Sequence, residues 1–409
     1  MLHVVSEPVY LMQTRPSPQP SPWTIVITGL VALAIAMGIG RFAFTPLMPL
    51  MLRDASLDAV TGTEWAAANY IGYLVGALTA PWFVRTPQSG IRVGLIGVAL
   101  TTACMAWAHA SLPWLGVVLR GSAGVFSAWV LVCSSSWCLL ELARRESPSL
   151  GGWMYTGVGL GIALTGAMAW LGGNQSARWL WIELAVVAAV GAVYVLRSLA
   201  VQAAAFTPPS AHTSVHRGPG LYSGAGNRGL VVCYAVFGFG YIIPATYLPS
   251  MARQLVSDPL VFGLTWPIFG AAAALSVALA SRWLSAWPRR KVWAAAQAVM
   301  AVGTLLPLCQ NTLWTLTASA VLVGGTFMVT TMAGLQLARE RMPSNPTPLL
   351  ARMTAGFAAG QIAGPFLVRV LGDMSIAGWN ALSGASAVAT VLLAASSLWL
   401  WRGGAPAHP

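Results

Sequence analysis

Apolar stretches of about 20 residues, the length that crosses a bilayer core as a helix, recur along the chain with only short polar breaks between them. They predict twelve membrane-spanning helices at residues 23–52, 62–85, 91–109, 113–140, 150–172, 179–198, 228–252, 260–285, 290–309, 313–338, 347–371 and 378–401. Glycine and alanine repeat at three- or four-residue spacing within several of these, as in Gly72, Gly76 and Ala80 or Gly157 and Gly161. Such spacing puts a smooth stripe on one helix face and lets two backbones approach closely.

Composition agrees with the pattern. The 409 residues are 57% hydrophobic and 8% charged, against roughly 25% charged in a soluble domain. The longest polar interruption, residues 199–227, is rich in Ala, Gly, Pro and Ser and divides the spans six and six. The predicted organisation is a disordered tail at 1–22, a six-helix half at 23–198, a cytoplasmic linker at 199–227, a second half at 228–401 and a tail at 402–409.

The halves resemble each other. A shift of 200 residues lays Gly38, Gly40, Pro49 and Met51 on Gly238, Gly240, Pro249 and Met251, and a shift of 201 lays Trp65, Trp82 and Pro87 on Trp266, Trp283 and Pro288. With an even number of spans in each, both halves enter the membrane in the same direction, so the repeats are parallel.

Charge fixes an orientation and excludes one class of partner. The formal net charge is +12, but if both termini are cytoplasmic then sixteen of the 22 Lys and Arg fall in cytoplasmic loops and tails. Arg53, Arg178, Arg253 and Arg369 lie on the other side, and Arg41 and Arg120 lie within spans. That bias is the positive-inside pattern. It accounts for the basic balance without nucleic acid. Cys104, Cys133, Cys138, Cys233 and Cys309 all fall within spans and read as buried small apolar residues. No nucleotide-binding glycine loop and no metal-binding histidine pair is present, so the sequence predicts no cofactor, no metal and no enzyme chemistry.

The residues that fold alone explains least are Arg41 and Arg120. A cation placed mid-span costs on the order of 2.5–3.5 kcal/mol, so each is expected to face a partner or a water-filled cavity. Arg41 sits in GIGRFAFTPLMPLM (residues 38–51), and the matching segment of the second half carries Tyr241 in its place. With Gln361, these four are the candidate substrate-binding residues, and a small anion such as a carboxylate would suit the pair of arginines. The competing reading is internal neutralisation by Glu64 or Glu183. Those two carboxylates are also the candidates for coupling to protons, Glu183 before Glu64. Gly38, Gly40, Pro46, Pro49, Gly124, Gly364 and Pro365 read as residues of the helical scaffold. Tyr70, Tyr73, Tyr155 and Tyr247 join Tyr241 as candidate cavity-lining aromatics. Tryptophans near span ends, including Trp23, Trp107, Trp114, Trp179, Trp181, Trp314, Trp379, Trp399 and Trp401, read as an interfacial belt.

Twelve spans in two parallel halves resemble the major facilitator superfamily. Arg120 followed by Gly124 is similar to its fourth-helix motif, and residues 76–92 are similar to its first-loop motif without the usual aspartate. At a finer level GIGRFAFTPLMPLM, with AANYIGYLVGAL (67–78), YTGVGLGI (155–162) and GFAAGQIAGP (356–365), resembles the YbfB/YjiJ-type group of facilitator transporters. The resemblance implies an all-α polytopic fold of twelve transmembrane helices. It implies a secondary transporter in the inner (plasma) membrane that moves a small molecule by alternating access and works as a monomer. Export of neutral or cationic compounds, and a sensor or scaffold that has kept the fold, are the alternatives.

Overall fold

The computed structural model describes residues 21–204, 224–255, 264–310, 312–372 and 380–403. Within them the chain forms twelve long helices. α1 runs over Pro22–Arg53, α2 over Ala59–Thr79, α3 over Pro87–Cys104, α4 over Pro113–Arg144, α5 over Thr156–Leu171 after a 3₁₀ turn at Pro148–Tyr155, and α6 over Ala177–Ala204. α7 covers Gly224–Leu255, α8 Thr265–Trp283, α9 Arg289–Cys309, α10 Leu313–Arg341, α11 Thr347–Leu371 and α12 Ala381–Arg402. α6 runs on to Ala204 and α7 starts at Gly224, inside the stretch read as the linker. Residues 205–223, like the tails at 1–20 and 404–409, lie outside the described residues.

Ten of the twelve are long and apolar enough to cross a membrane. The two that fall short in apolarity, α2 and α8, occupy corresponding places in the two halves. Each packs within its own half and also against the other: α2 lies on α4 and α11, and α8 lies on α10 and α5. A helix that faces protein on two sides needs fewer side chains suited to lipid, which is why α2 can carry Thr, Tyr and Asn and α8 a run of Ala.

The repeat seen in the sequence is repeated in the packing. In the first half α5 meets α1 so closely that a Cβ on Gly161 would come 2.3 Å from the carbonyl oxygen of Ala34. In the second, α11 meets α7 in the same way, and a Cβ on Gly360 would lie 2.1 Å from the carbonyl oxygen of Ala235. Both halves thus use a glycine on the fifth helix to seat the first.

At the end of the bundle that carries the termini, the Ser136 and Thr347 hydroxyls bond across the halves at 2.7 Å. Beside them lies a cavity of about 230 Å³, lined by Leu139 and Ser149 of one half and by Arg289, Gln336 and Arg339 of the other.

Two details depart from the sequence reading. Cys133, Cys138 and Cys233 are buried as expected, but Cys104 and Cys309, at the far ends of α3 and α9, are exposed on the surface of the chain; Cys104 lies on the outward side of a turn whose Thr101 and Thr102 are buried. Trp181 is buried rather than interfacial and donates its indole N–H to the Met51 sulfur at 3.4 Å. It lies one turn inside α6 on the face turned toward α1. Trp23, Trp107, Trp114, Trp179, Trp314, Trp399 and Trp401 are exposed near helix ends, and Trp379 lies outside the described residues.

The α2–α4 contact is the tightest of these glycine seams: a Cβ on Gly72 would sit 1.9 Å from the carbonyl oxygen of Gly121, whereas one on Gly325 would meet nothing within 4 Å. Forcing extra volume into a packed seam typically costs about 1–3 kcal/mol, while Gly to Ala in a helix gains up to about 1 kcal/mol. Gly72→Val is therefore expected to lower the melting temperature of the purified protein by several degrees, and Gly325→Ala to leave it unchanged or raise it. Equal melting temperatures for the two variants would refute the seam.

Candidate functional site

Midway along α1, residues Ala34–Phe42 leave α geometry for a π-helical stretch. Local sequence explains the departure. Gly38 and Gly40 have weak helix propensity, and a π-helical bond to the Arg41 carbonyl would have to come from residue 46, which is Pro46 and has no N–H. The Arg41 carbonyl thus lacks its π-helical donor, and carbonyls around such a break gain from donors on a neighbouring helix, since an unpaired buried carbonyl is costly.

α4 supplies them. The Ser127 hydroxyl donates to the Ala36 carbonyl at 2.7 Å, and the Arg120 guanidinium donates through Nη1 to the Gly40 carbonyl and through Nη2 to the Arg41 carbonyl, each at 3.1 Å. Arg120 and Ser127 are seven residues apart, two turns along one face of α4. The Arg120 guanidinium also lies 4.8 Å from the Phe44 ring centroid, and its own backbone carbonyl accepts from the Asn69 side-chain amide at 2.9 Å. The side chain that the sequence placed near Arg41 is there, with its two terminal nitrogens committed to the backbone of α1.

The π-helical turn also decides where Arg41 points. Its guanidinium carbon stands 3.6 Å from the centroid of Tyr73 and 5.6 Å from that of Tyr70, both on α2. Nη2 donates to the Gln361 side-chain oxygen on α11, so the bond joins the two halves. Arg41 is only 3% exposed. Among the described residues no carboxylate lies within ion-pair distance of either arginine; the ion pairs there are Arg53 with Asp54 and Glu141 with Arg144 and Arg145.

Magnitudes show how the cation is held without a counter-ion. A desolvated cation–π contact contributes up to about 2 kcal/mol and a charged hydrogen bond roughly 1.5–3 kcal/mol, which together offset the insertion cost of order 2.5–3.5 kcal/mol. The hydrogen-bonding capacity is not filled, however. Arg41 Nε and Nη1 and Gln361 Nε2 are buried without a partner, as are Arg120 Nε and the indole N–H of Trp266 on α8. Three unmet donors therefore belong to two side chains already bonded to each other.

Tyr241 takes a different part from Arg41, its counterpart in the first half. Its ring is buried and stacks on Phe327 of α10 at 4.9 Å between centroids and on Phe357 of α11 at 6.1 Å. Phe357 lies one turn before Gln361. The stacking continues from Phe327 to Phe269 at 5.4 Å and from Phe269 to Trp266 at 5.5 Å, and Trp266 meets Phe42 of α1 at 6.4 Å. Tyr155 lies apart, buried near the start of α5 with its hydroxyl donating to Ser135.

Glu64 and Glu183 are both exposed, on the outward faces of α2 and α6. Neither neutralises Arg41 or Arg120. The reading of internal charge compensation fails because each helix turns its carboxylate away from the side that packs on α1 and α4. The scaffold residues sit where helices touch: Gly38 against Gly161, Gly124 against Asn69 and Gly364 against Ile242, with Pro49 and Pro365 inside α1 and α11.

Ser127, Phe327 and Phe357 were not singled out in the sequence. Spacing carries a signal for two of them, Ser127 seven residues after Arg120 and Phe357 four before Gln361, but nothing in the sequence says which face of α4 or α11 looks inward.

The arrangement defines a membrane transporter of the major facilitator type. Residues 33–398 match the family described as the uncharacterised MFS-type transporter YbfB, and the chain belongs to that family. Its members are transporters and not enzymes, so the protein is a multi-pass membrane protein that handles a small molecule. The fold is similar to the crystal structure of the human organic anion transporter MFSD10 (TETRAN), with a TM-score of 0.70 at 14% identity over 93% of this chain and 100% of that one. The chain is also 29% identical over 141 residues to the class D tetracycline resistance protein of Salmonella ordonez. That match spans 34% of this chain and 35% of the relative, about a third of the length of each.

If Arg120 replaces the donor that Pro46 lacks, the two residues are energetically coupled. Arg120→Lys keeps the charge but loses the two-pronged donor and is expected to lower the melting temperature by several degrees. Pro46→Ala restores an N–H, so the loss on Arg120→Lys should be smaller in the Pro46→Ala background than in the native one. Strict additivity of the two substitutions in a double-mutant cycle would show that they act independently.

Proposed function

We propose that the protein is a secondary active transporter that carries a small organic anion across the plasma (inner) membrane by alternating access, with both termini cytoplasmic. The observation that carries the reading is Arg41. Its buried cation has no carboxylate beside it among the described residues, and its free Nε and Nη1, with Gln361 Nε2, await acceptors. An anionic substrate supplies both the missing charge and the missing acceptors. The Arg41–Gln361 bond joins the halves, so a substrate that takes over these donors acts on the contact whose making and breaking alternates access.

Arg120 is a positioning residue in this scheme. By holding the Gly40 and Arg41 carbonyls it fixes the π-helical turn that aims Arg41 at α2 and α11. Glu64 and Glu183 lie on outward faces, so a proton taken up at either would act at a distance from the arginine.

The orientation rests on the excess of arginine at the end of the bundle that carries the termini. The human structure similar in fold is that of an organic anion transporter; since that likeness is one of fold, the substrate class stands on Arg41. A second reading, export of a neutral or cationic compound, is favoured by the partial likeness to a tetracycline resistance protein.

Thermal-shift measurements on the purified protein separate the two. A ligand at a hundred times its dissociation constant stabilises the folded state by about 2.7 kcal/mol. A small carboxylate is expected to raise the melting temperature of the native protein and to lose that effect in Arg41→Gln. Stabilisation by lipophilic cations alone, unchanged in Arg41→Gln, would overturn the anion reading in favour of the exporter.

A further inference from the structure

The contacts around Arg41 close into a ring. Arg41 leads to its neighbour Phe42, Phe42 to Trp266, and the stack then runs through Phe269, Phe327 and Tyr241 to Phe357. Phe357 lies four residues, one helical turn, before Gln361 and so shares its face of α11. Gln361 returns to Arg41 through the hydrogen bond between them. Three of the stacking steps are nearly parallel, with interplanar angles of 15–17°. Stacked rings cover one another's faces, so the run is open only at its ends, and Trp266, which Phe42 meets at 59°, is one of them.

The ring crosses between the halves at two places only. One crossing is the polar contact of Arg41 with Gln361, and the other is the aromatic contact of Phe42 with Trp266, whose ring centroids lie 6.4 Å apart. Every other link lies within one half. When the halves part, these two contacts are lost together, leaving the Arg41 donors and a Phe42 ring on one side and the stacked wall on the other.

We infer that the substrate is an aromatic monocarboxylate, a planar ring bearing one carboxylate group. Such a molecule replaces both crossings at once. Its carboxylate takes the place of the Gln361 oxygen on Arg41 Nη2 and accepts from Nη2 together with one of the free nitrogens beside it, Nε or Nη1, a two-oxygen, two-donor match that suits the guanidinium fork. Its ring takes the place of the Phe42–Trp266 contact and stacks on Trp266, where the run of rings ends. The unpartnered indole N–H of Trp266 offers a further donor at the junction of wall and polar end. A single carboxylate is specified because Arg41 alone of the pair has a terminal nitrogen without a partner: Arg120 has both terminal nitrogens on backbone carbonyls and only its Nε unpartnered.

This inference rests on the anion reading of Arg41 but adds a claim that fails separately. Benzoate and cyclohexanecarboxylate have the same charge and similar size, and only benzoate is flat and aromatic. Binding of each to the purified native protein, followed by isothermal titration, is expected to favour benzoate at least tenfold. In Trp266→Leu, which removes the ring at which the run ends, the preference should fall to within about twofold. In Arg41→Gln neither compound should bind.

Equal affinity for the two compounds in the native protein, both lost in Arg41→Gln, would overturn the aromatic claim and leave the anion reading standing. Binding of neither compound to the native protein, with the fold verified by its melting transition, would overturn both. A tenfold preference that survives in both Trp266→Leu and Phe269→Leu would place the ring elsewhere and overturn the assignment to this end of the run.

Discussion

The grip of Arg120 on the carbonyls of α1 is the constraint on which the centre of this protein depends. A helix that carries Gly38, Gly40 and Pro46 within nine residues cannot satisfy its own backbone in an apolar surrounding, where an open carbonyl has no water to turn to. The bonds from Arg120 and Ser127 allow the π-helical turn to persist. That turn in turn aims Arg41 between α2 and α11. An arginine spent on structure thus fixes the direction of an arginine available for binding.

The same logic assigns different work to the two cations that the sequence offered as a pair. Arg120 is satisfied by backbone at both terminal nitrogens. Arg41 rests on one aromatic face and one amide oxygen, and retains free donors. Burial of both without a carboxylate is tolerable because carbonyl dipoles and tyrosine rings stabilise a guanidinium while leaving its formal charge in place. A carboxylate beside Arg41 would hold it more firmly and leave less for an incoming anion. Glu64 and Glu183, facing outward, leave the site positive.

Symmetry and its breach are both functional. The two halves share the close glycine contact between their first and fifth helices. They differ at the one paired position that matters, where Arg41 faces Tyr241. The first half brings the charge, and the second brings the amide and the stacked rings. A substrate that satisfies both halves must therefore bridge them, which ties binding to the movement of one half against the other.

Much of this was legible from the chain alone. Twelve spans, their division into six and six, the parallel repeat and the oddity of Arg41 follow from hydropathy, spacing and the cost of a charge in lipid, and these are properties of local sequence. α2 and α8 were also found as spans, although their thinner apolar content reports burial between the halves. What sequence left undecided was direction. Whether Arg41 meets a carboxylate or a tyrosine ring, whether Arg120 faces a cavity or a backbone, and whether Glu183 looks inward all depend on the rotation of a helix about its own axis. In a helix polar on few positions and apolar on most, periodicity fixes that rotation poorly. Packing against neighbours far away in sequence fixes it, through glycine seams and the demand of open carbonyls for donors. The tertiary structure alone brought Gln361 to Arg41 across 320 positions and aligned rings from four helices into one wall.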